Sequence, residues 1–567
     1  MVAFTSFVFA SLLVSSTWGF PLLSRSYPDG VPALRLPPIT HKGLFCSIPF
    51  ASWMNLCPRT TSTVNSLTTQ TPIGTAQGTS DVDGAVRYAV RYGSAERWQQ
   101  SEVVTTWDFP AGAANASGLP LACPQPNAAD STFSEDCLAM LLYVPDSISS
   151  SSGAPTMVWI HGGSFISGSA TGPGLDGSAL AAATGSVVAV IQYRLGALGF
   201  MAPSGETNLA VLDVMTALSF LQKVVPSFGG SASKITLAGQ SSGANMIRAL
   251  LATPSASSMF QSAILQSDPM DYGFLNTTLQ ETLLSNFVSN IGCSDSDNSC
   301  INSLSLDSIL TAQGNTITYS ANNLPAAGAA EPIRPVVDGE LITTTLDSTT
   351  PFPSVSKPVL ISNVVDEAAV TIYGSFGSPV EYSTYDYVVN LTFGEPRAQR
   401  LLANELYVPP PTPADGVQDA RPMLQILGTD QVWRCATWTF ARNWAANGGQ
   451  AYVGMYMVGA TYPGNEDYSV CTEPGAVCHQ DDIEIVFGTV PSPTSAQSAL
   501  VTEVQARYSA FLHNGNPNTG SYAEWTAATS ENVTALELGG SGSYPVGACY
   551  LGYWGDYVPY DYQVYDI

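Results

Sequence analysis

The stretch Phe228 to Gly243, FGGSASKITLAGQSSG, constrains the fold more than any other part of the sequence. Lys234 to Ala238 is apolar and rich in β-branched residues, so it reads as a strand that ends at Gly239. Ala244 to Leu251 reads as a helix, stopped before Pro254. Between them lies G-x-S-x-G, spelled Gly239, Gln240, Ser241, Ser242, Gly243. The five-residue pattern is weak by itself in a chain with 49 glycines. Strand, tight turn and helix around it are what a nucleophile elbow requires, with glycines flanking the serine so that neighbouring backbone can approach. Ser241 is therefore the candidate nucleophile.

The surrounding sequence predicts the sheet such a turn needs. Met157 to Ile160 and Val187 to Ile191 are continuous apolar runs, as expected for strands buried on both faces of a parallel sheet. Leu209 to Val225 carries apolar residues at helical spacing and ends at Pro226. Alternating strands and helices, with no internal repeat, predict one large α/β domain.

A serine that attacks a carbonyl needs a base, an acid to orient the base, and donors for the oxyanion. The chain has only 4 histidines. His41 falls in a Pro-rich N-terminal segment and His513 in a polar Asn-Gly-Asn loop, whereas His479 lies in VCHQDDI, a loop leading into an apolar helical start. His479 is the candidate base. His161 directly follows a buried strand in IHGGSF, where consecutive backbone N–H groups can face a carbonyl oxygen. The candidate oxyanion donors are the N–H groups of Gly163, Ser164 and Ser242. For the acid, Val359 to Val365 is an apolar strand running into Asp366 and Glu367, and the residues alone do not separate these two.

The N-terminus, MVAFTSFVFASLLVSSTWGFP, reads as a secretory signal over residues 1–19, without the usual positive charge at its start. Residues 20–62 form a Pro-rich extension, 63–560 the catalytic domain and 561–567 a tail. A secreted chain with 10 cysteines and no CxxC pair pattern favours disulfides, and Cys46 and Cys57 are spaced for a local staple. Sequons at Asn115, Asn276, Asn390 and Asn532 fit a glycosylating secretory route to the extracellular space. No unbroken apolar run of about 20 residues follows the leader. The net charge of −26, from 19 Lys+Arg against 45 Asp+Glu, argues against nucleic acid and anionic membrane surfaces as partners. It serves solubility, or adapts the chain to acidic surroundings.

With these pieces placed, residues 63–560 resemble the type-B carboxylesterase and lipase family, the cholinesterase-like α/β-hydrolases. Phe228 to Gly243 fits the family's serine signature, Glu135-Asp136-Cys137-Leu138 resembles its second signature, and Tyr193 to Phe200, Pro335 to Gly339 and Asn514 to Asn518 echo further segments. The resemblance implies an α/β-hydrolase fold and a secreted carboxylic-ester hydrolase that needs no metal or cofactor and acts on a small ester. It implies Glu367 as the acid, although Ala368 stands where the family has glycine, and His479 as the base, followed by Phe487-Gly488. It implies the pairs Cys123 with Cys137, Cys293 with Cys300 and Cys435 with Cys549, beside a local pair of Cys471 with Cys478. Asp136 and Arg194 become structural ion-pair candidates.

Several departures bear on the substrate. Only thirteen residues, none of them Trp, separate Cys123 from Cys137, which disfavours a long lid and a choline site. Gln240 replaces the glutamate that cholinesterases place before the serine, Ser164 replaces the third glycine of the oxyanion loop, and Asp268 stands unexplained where glycine is usual. The alternatives are a lipase, a sterol- or aromatic-ester hydrolase, an enzyme that passes the acyl group to an acceptor other than water, and a binding protein that has lost catalysis.

Overall fold

Among the described residues, a run of largely apolar strands assembles into one ten-stranded sheet. The structure, a computed structural model, describes residues 67–293, 297–328, 331–347, 351–395, 397–412 and 416–554. The expected leader 1–19, the extension 20–62 with His41 and the Cys46 and Cys57 pair, and the tail 561–567 lie outside the described residues.

In chain order the sheet strands are β1 (Ala85–Arg91), β2 (Ala139–Pro145), β3 (Ala154–Ile160), β4 (Val187–Ile191), β5 (Gly230–Gln240), β6 (Ser262–Gln266), β7 (Val359–Val364), β8 (Ala451–Tyr456), β9 (Ala535–Leu538) and β10 (Ser543–Tyr544). Across the sheet they run β10-β9-β8-β7-β6-β5-β3-β4-β2-β1. The central pairs from β4 to β9 are parallel, while β1–β2, β2–β4 and β9–β10 are antiparallel. Every residue of β3, β4, β7 and β8 is buried, as the apolar runs predict.

Successive side chains point to opposite faces, and two cores form. Val158 and Ile160 pack in one core with helices α1 (Leu209–Val224) and α2 (Ser242–Leu251). Met157 and Trp159 pack in the other with α3 (Ser495–Asn514), where the Trp159 and Phe487 rings meet edge to face at 4.9 Å. Helices on both faces of a mostly parallel sheet, in a single domain, make this an α/β-hydrolase fold.

Some details depart from expectation. β5 begins at Gly230 and runs to Gln240, and α2 begins at Ser242, so the turn is tighter than the composition suggested. His513 lies in the last turn of α3 rather than in a loop, because buried Leu500, Val504, Tyr508 and Phe511 carry the helical face through to Gly515. The segment Leu209–Phe228 has the length and apolarity to cross a membrane, with 67% of its most apolar window buried inside this fold.

Among the described residues, four cystine bridges join Cys123 to Cys137, Cys293 to Cys300, Cys435 to Cys549, and Cys471 to Cys478. Arg194 forms a buried ion pair with Asp213 at 2.7 Å, and Asp136 pairs with Arg91 at 2.8 Å. Asp268 also gains a reason: it makes a fully buried ion pair with Arg248 at 2.9 Å. That residue ties α2 to the end of β6.

Candidate active site

Ser241 sits between β5 and α2 at φ 57°, ψ −129°, a backbone strain that a side chain tolerates only where the surroundings enforce it. The enforcement is visible. A Cβ on Gly243 would stand 2.1 Å from the Ile160 carbonyl oxygen, and one on Gly239 would stand 2.8 Å from the same atom. Both glycines are required by the close approach of β3. The Ser241 N–H donates to the Gln266 carbonyl at 2.9 Å, fixing the elbow to β6.

Glu367 and His479 come together from the ends of β7 and a loop 112 residues later. The His479 Nδ1–H donates to Glu367 Oε2 at 2.6 Å. The other oxygen, Oε1, accepts from the Val364 N–H at 3.0 Å and from the Asn363 amide at 3.4 Å, so the carboxylate is aimed from both sides. Asp366 has a different task. It accepts from the Val477 N–H at 3.0 Å and from the Gln425 amide at 2.6 Å, bracing the backbone of the histidine loop. The two acids that the sequence left open are thus separated by what they touch.

The same loop is held by Asp481, which accepts from the N–H groups of Tyr462 and Cys478 at 2.8 and 2.7 Å, and by the Asn465 amide donating to the His479 carbonyl at 2.9 Å. The His479 ring lies 5.5 Å from that of Trp433, which is carried on the π-helical turn Thr429–Arg434. Its Nε2 faces Gln240, whose amide Nε2 lies 3.1 Å away. The Nε2 lone pair is therefore met by the Gln240 amide. A glutamate there would offer no donor. Burial lowers the His479 pKa, but the Glu367 hydrogen bond and the charges of Glu367, Asp482 and Glu331 outweigh it and leave it above the ordinary histidine value.

Opposite the elbow runs the loop after β3. Gly163, Ser164 and Phe165 all adopt positive φ, at 114°, 53° and 61°. None of the Gly163, Ser164 or Ser242 N–H groups is spent on a backbone partner among the described residues. His161 itself is buried, stacks on Tyr193 at 4.7 Å and is held neutral by burial, which pushes its pKa down to about 4. It shapes the loop. The short Cys123–Cys137 loop is pinned here as well, since the Gln125 amide exchanges hydrogen bonds with Gly168 at 3.0 and 3.1 Å.

Of the residues named from the sequence, the structure brings Glu367 and His479 into contact and sets Ser241 at the turn between β5 and α2, beside the loop after β3. The sequence did not show the contacts of Gln240 and Trp433 with His479, or the charge of Glu331 acting on that ring. Gln240 had a signal in its adjacency to Ser241, whereas Trp433 and Glu331 arrive from distant segments whose local sequence has no marker.

Buried acids, two of them on the histidine loop, bear on stability. Burial pushes Asp271 and Asp481 up to about 7 and Asp482 up to about 6, against 3.8 ordinarily. The folded chain holds protons there that the unfolded chain releases, so this stability is fully present below pH 3.8 and is lost as pH rises through 6 to 7. The melting temperature is expected to be about 5 °C or more higher at pH 5 than at pH 8. A scanning-fluorimetry series in which it rises toward pH 8 would refute this.

Comparisons with known proteins agree with this architecture. The family model described as Carboxylesterase family matches residues 67–545. The "Crystal protein" of Dictyostelium discoideum is 32% identical over 369 residues, 63% of this chain and 64% of that one. The para-nitrobenzyl esterase of Bacillus subtilis (strain 168) is 27% identical over 449 residues, 73% of this chain and 83% of that one. The match thus spans just under two-thirds of the first relative's length. A solved structure described as PNB esterase superposes with a TM-score of 0.67 at 24% identity, covering 83% of this chain and 96% of that one.

Proposed function

The chain belongs to the Carboxylesterase family, and from that premise we propose that it is a secreted serine hydrolase of small carboxylic esters, working through an acyl-enzyme on Ser241. The observation that carries this reading is the 2.6 Å bond from His479 Nδ1–H to Glu367, beside a strained serine and a row of unspent backbone donors.

The mechanism follows from those positions. His479 Nε2 gives up its Gln240 contact and takes the proton of Ser241 Oγ as that oxygen attacks the ester carbonyl carbon. The carbonyl electron pair moves onto oxygen, where the N–H groups of Gly163, Ser164 and Ser242 stabilise it; removing one such donor typically costs about 10²–10³ in rate. The imidazolium then protonates the departing alkoxide, and the alcohol leaves. Water attacks the acyl-enzyme with His479 again as base, and the carboxylic acid is released. Glu367 holds the imidazole in the tautomer that leaves Nε2 free and balances its charge.

Secretion rests on the leader-like sequence and is consistent with the four described cystines. Asn115, Asn276 and Asn532 are exposed and suited to carry glycans. Asn390 is less suited, because its Nδ2 donates within a helix to the Asp386 carbonyl at 2.7 Å.

The test is hydrolysis of p-nitrophenyl esters from acetate to palmitate, together with labelling by a fluorophosphonate. Because the Cys123–Cys137 loop is short and pinned, the rate is expected to peak on short acyl chains and the label to map to Ser241. A maximum on long, emulsified esters would make the enzyme a lipase; no label at Ser241 would end the serine-hydrolase reading.

A further inference from the structure

The candidate acid and base meet across a single pairing of backbone. Asp366 and Cys478 form a lone parallel β-bridge, closed by the Asp366 N–H donating to the Val477 carbonyl at 3.0 Å. The next residues on the two segments are Glu367 and His479, so the bridge sets them side by side, where they bond at 2.6 Å. One bridge is a small restraint for a loop. The residue after His479 asks for more, since Gln480 holds φ 80°, a conformation that a side chain keeps only where the surroundings enforce it.

The Cys471–Cys478 cystine adds a second restraint at the same point. It ties the residue directly before His479 to the 3-10 turn Ser469–Thr472, across a sequence separation of 7. Both cysteines are buried and pack with Ala369 in a small cluster of their own, apart from the two large cores. Val370, Tyr468 and Val470 pack around it. Ala369 opens the helix Ala369–Ser375, two residues after Glu367, and its N–H donates to the Asp366 carbonyl at 3.1 Å. The sulfur pair thus lies between the segment that carries the acid and the loop that carries the base.

We propose that Cys471 and Cys478 are positioning residues of the site: their cystine clamps the His479 loop to the start of the helix that follows Glu367, and so keeps the imidazole against Glu367 while a proton moves to its Nε2. This role rests on the ester-hydrolase reading above, since a base needs such placing only if it takes a proton. The Cys293–Cys300 cystine offers a matched comparison. It spans the same separation of 7 but packs into the large core that contains α1. Loops of equal length constrain the unfolded chain about equally, so loss of either cystine should cost similar stability.

Cys471→Ala/Cys478→Ala and Cys293→Ala/Cys300→Ala are compared with the parent on short p-nitrophenyl esters, below the melting temperature of all three. Removing the Cys471–Cys478 pair is expected to lower kcat about 10- to 100-fold with KM changed less than about threefold, because a misplacement of about 1 Å costs up to about 10² in rate. Labelling of Ser241 by a fluorophosphonate should slow in step with kcat, since the same base serves both reactions. The Cys293–Cys300 variant is expected to keep kcat within about threefold, with a similar fall in melting temperature. The parent supplies a second reading without mutation. Under rising concentrations of tris(2-carboxyethyl)phosphine its kcat should drop as the Cys471–Cys478 bridge opens, mapped by alkylation after denaturation, and return on reoxidation.

Unchanged kcat in molecules whose Cys471–Cys478 bridge is open, whether variant or reduced parent, would overturn the proposal. Equal kcat losses in the two variants would overturn it too, and leave this cystine as a stabiliser of the fold. So would a Cys471→Ala/Cys478→Ala chain that fails to fold while its comparison folds, because the whole fold would then depend on the bridge. A parent whose hydrolysis does not depend on Ser241 would remove the hydrolase reading and this role with it; a serine-dependent parent whose kcat ignores the bridge removes this role alone.

Discussion

Ser241→Ala is expected to lower kcat on p-nitrophenyl acetate by about 10⁴–10⁶ while leaving KM within a few fold. The substitution deletes only Oγ. The elbow is held by the Ser241 N–H bond to Gln266 and by the glycines against Ile160, none of which involves the side chain, so the melting temperature should hardly move. His479→Ala should cost a similar factor, and the double variant little more than either single one, because nucleophile and base act as one unit. A residual rate of about 10³ above background is expected to survive in all three, supplied by the N–H groups of the loop after β3 and by substrate binding. Losses that multiply in the double variant would mean that the two side chains serve separate steps, and the acyl-enzyme mechanism would fail.

Most of the candidate site was legible in the sequence because its parts are local. An apolar run, a glycine, a serine and a helix mark the elbow, and strand-His-Gly-Gly marks the donor loop. The candidate acid was legible only to within two residues. Asp366 and Glu367 leave the same strand end, and the choice between them depends on a loop more than 100 residues away: Asp366 meets its backbone and Glu367 its ring. Gln240 was visible as a lost charge, but not as a donor to His479 Nε2, since that requires the loop to fold back over the elbow. Glu331 left no trace, because a single glutamate in a Pro-rich segment has no pattern.

The charge of −26 has a consequence in two opposed directions. The buried acids Asp271, Asp481 and Asp482 favour the folded state at acidic pH, as does relief of repulsion among surface carboxylates. The proposed mechanism asks for the reverse, because in it His479 must be neutral to take a proton and its pKa is raised. The fold is therefore expected to persist at a pH where the base is already protonated. An acidic setting would suit the stability of this protein better than its turnover.

Glu367→Gln tests that conflict directly and carries the second large effect. The amide keeps the size of the carboxylate but removes the charge that orients and balances the imidazole, and kcat is expected to fall by about 10⁴, as for loss of the acid from a serine triad. The pH profile supplies the sign. In the parent, kcat/KM is expected to fall with a single proton as pH drops through a value above 6.5, since Glu367 outweighs the burial of His479. In Glu367→Gln burial still lowers that pKa and the largest opposing influence is gone, so the acid limb should move to lower pH even as the plateau collapses. Asp366→Asn is the matched comparison: its carboxylate braces the Val477 N–H rather than the ring, so the limb should stay in place and kcat should remain within about tenfold. If the two variants exchange behaviour, Asp366 is the acid of the site and the 2.6 Å bond to Glu367 belongs to a resting arrangement that catalysis abandons.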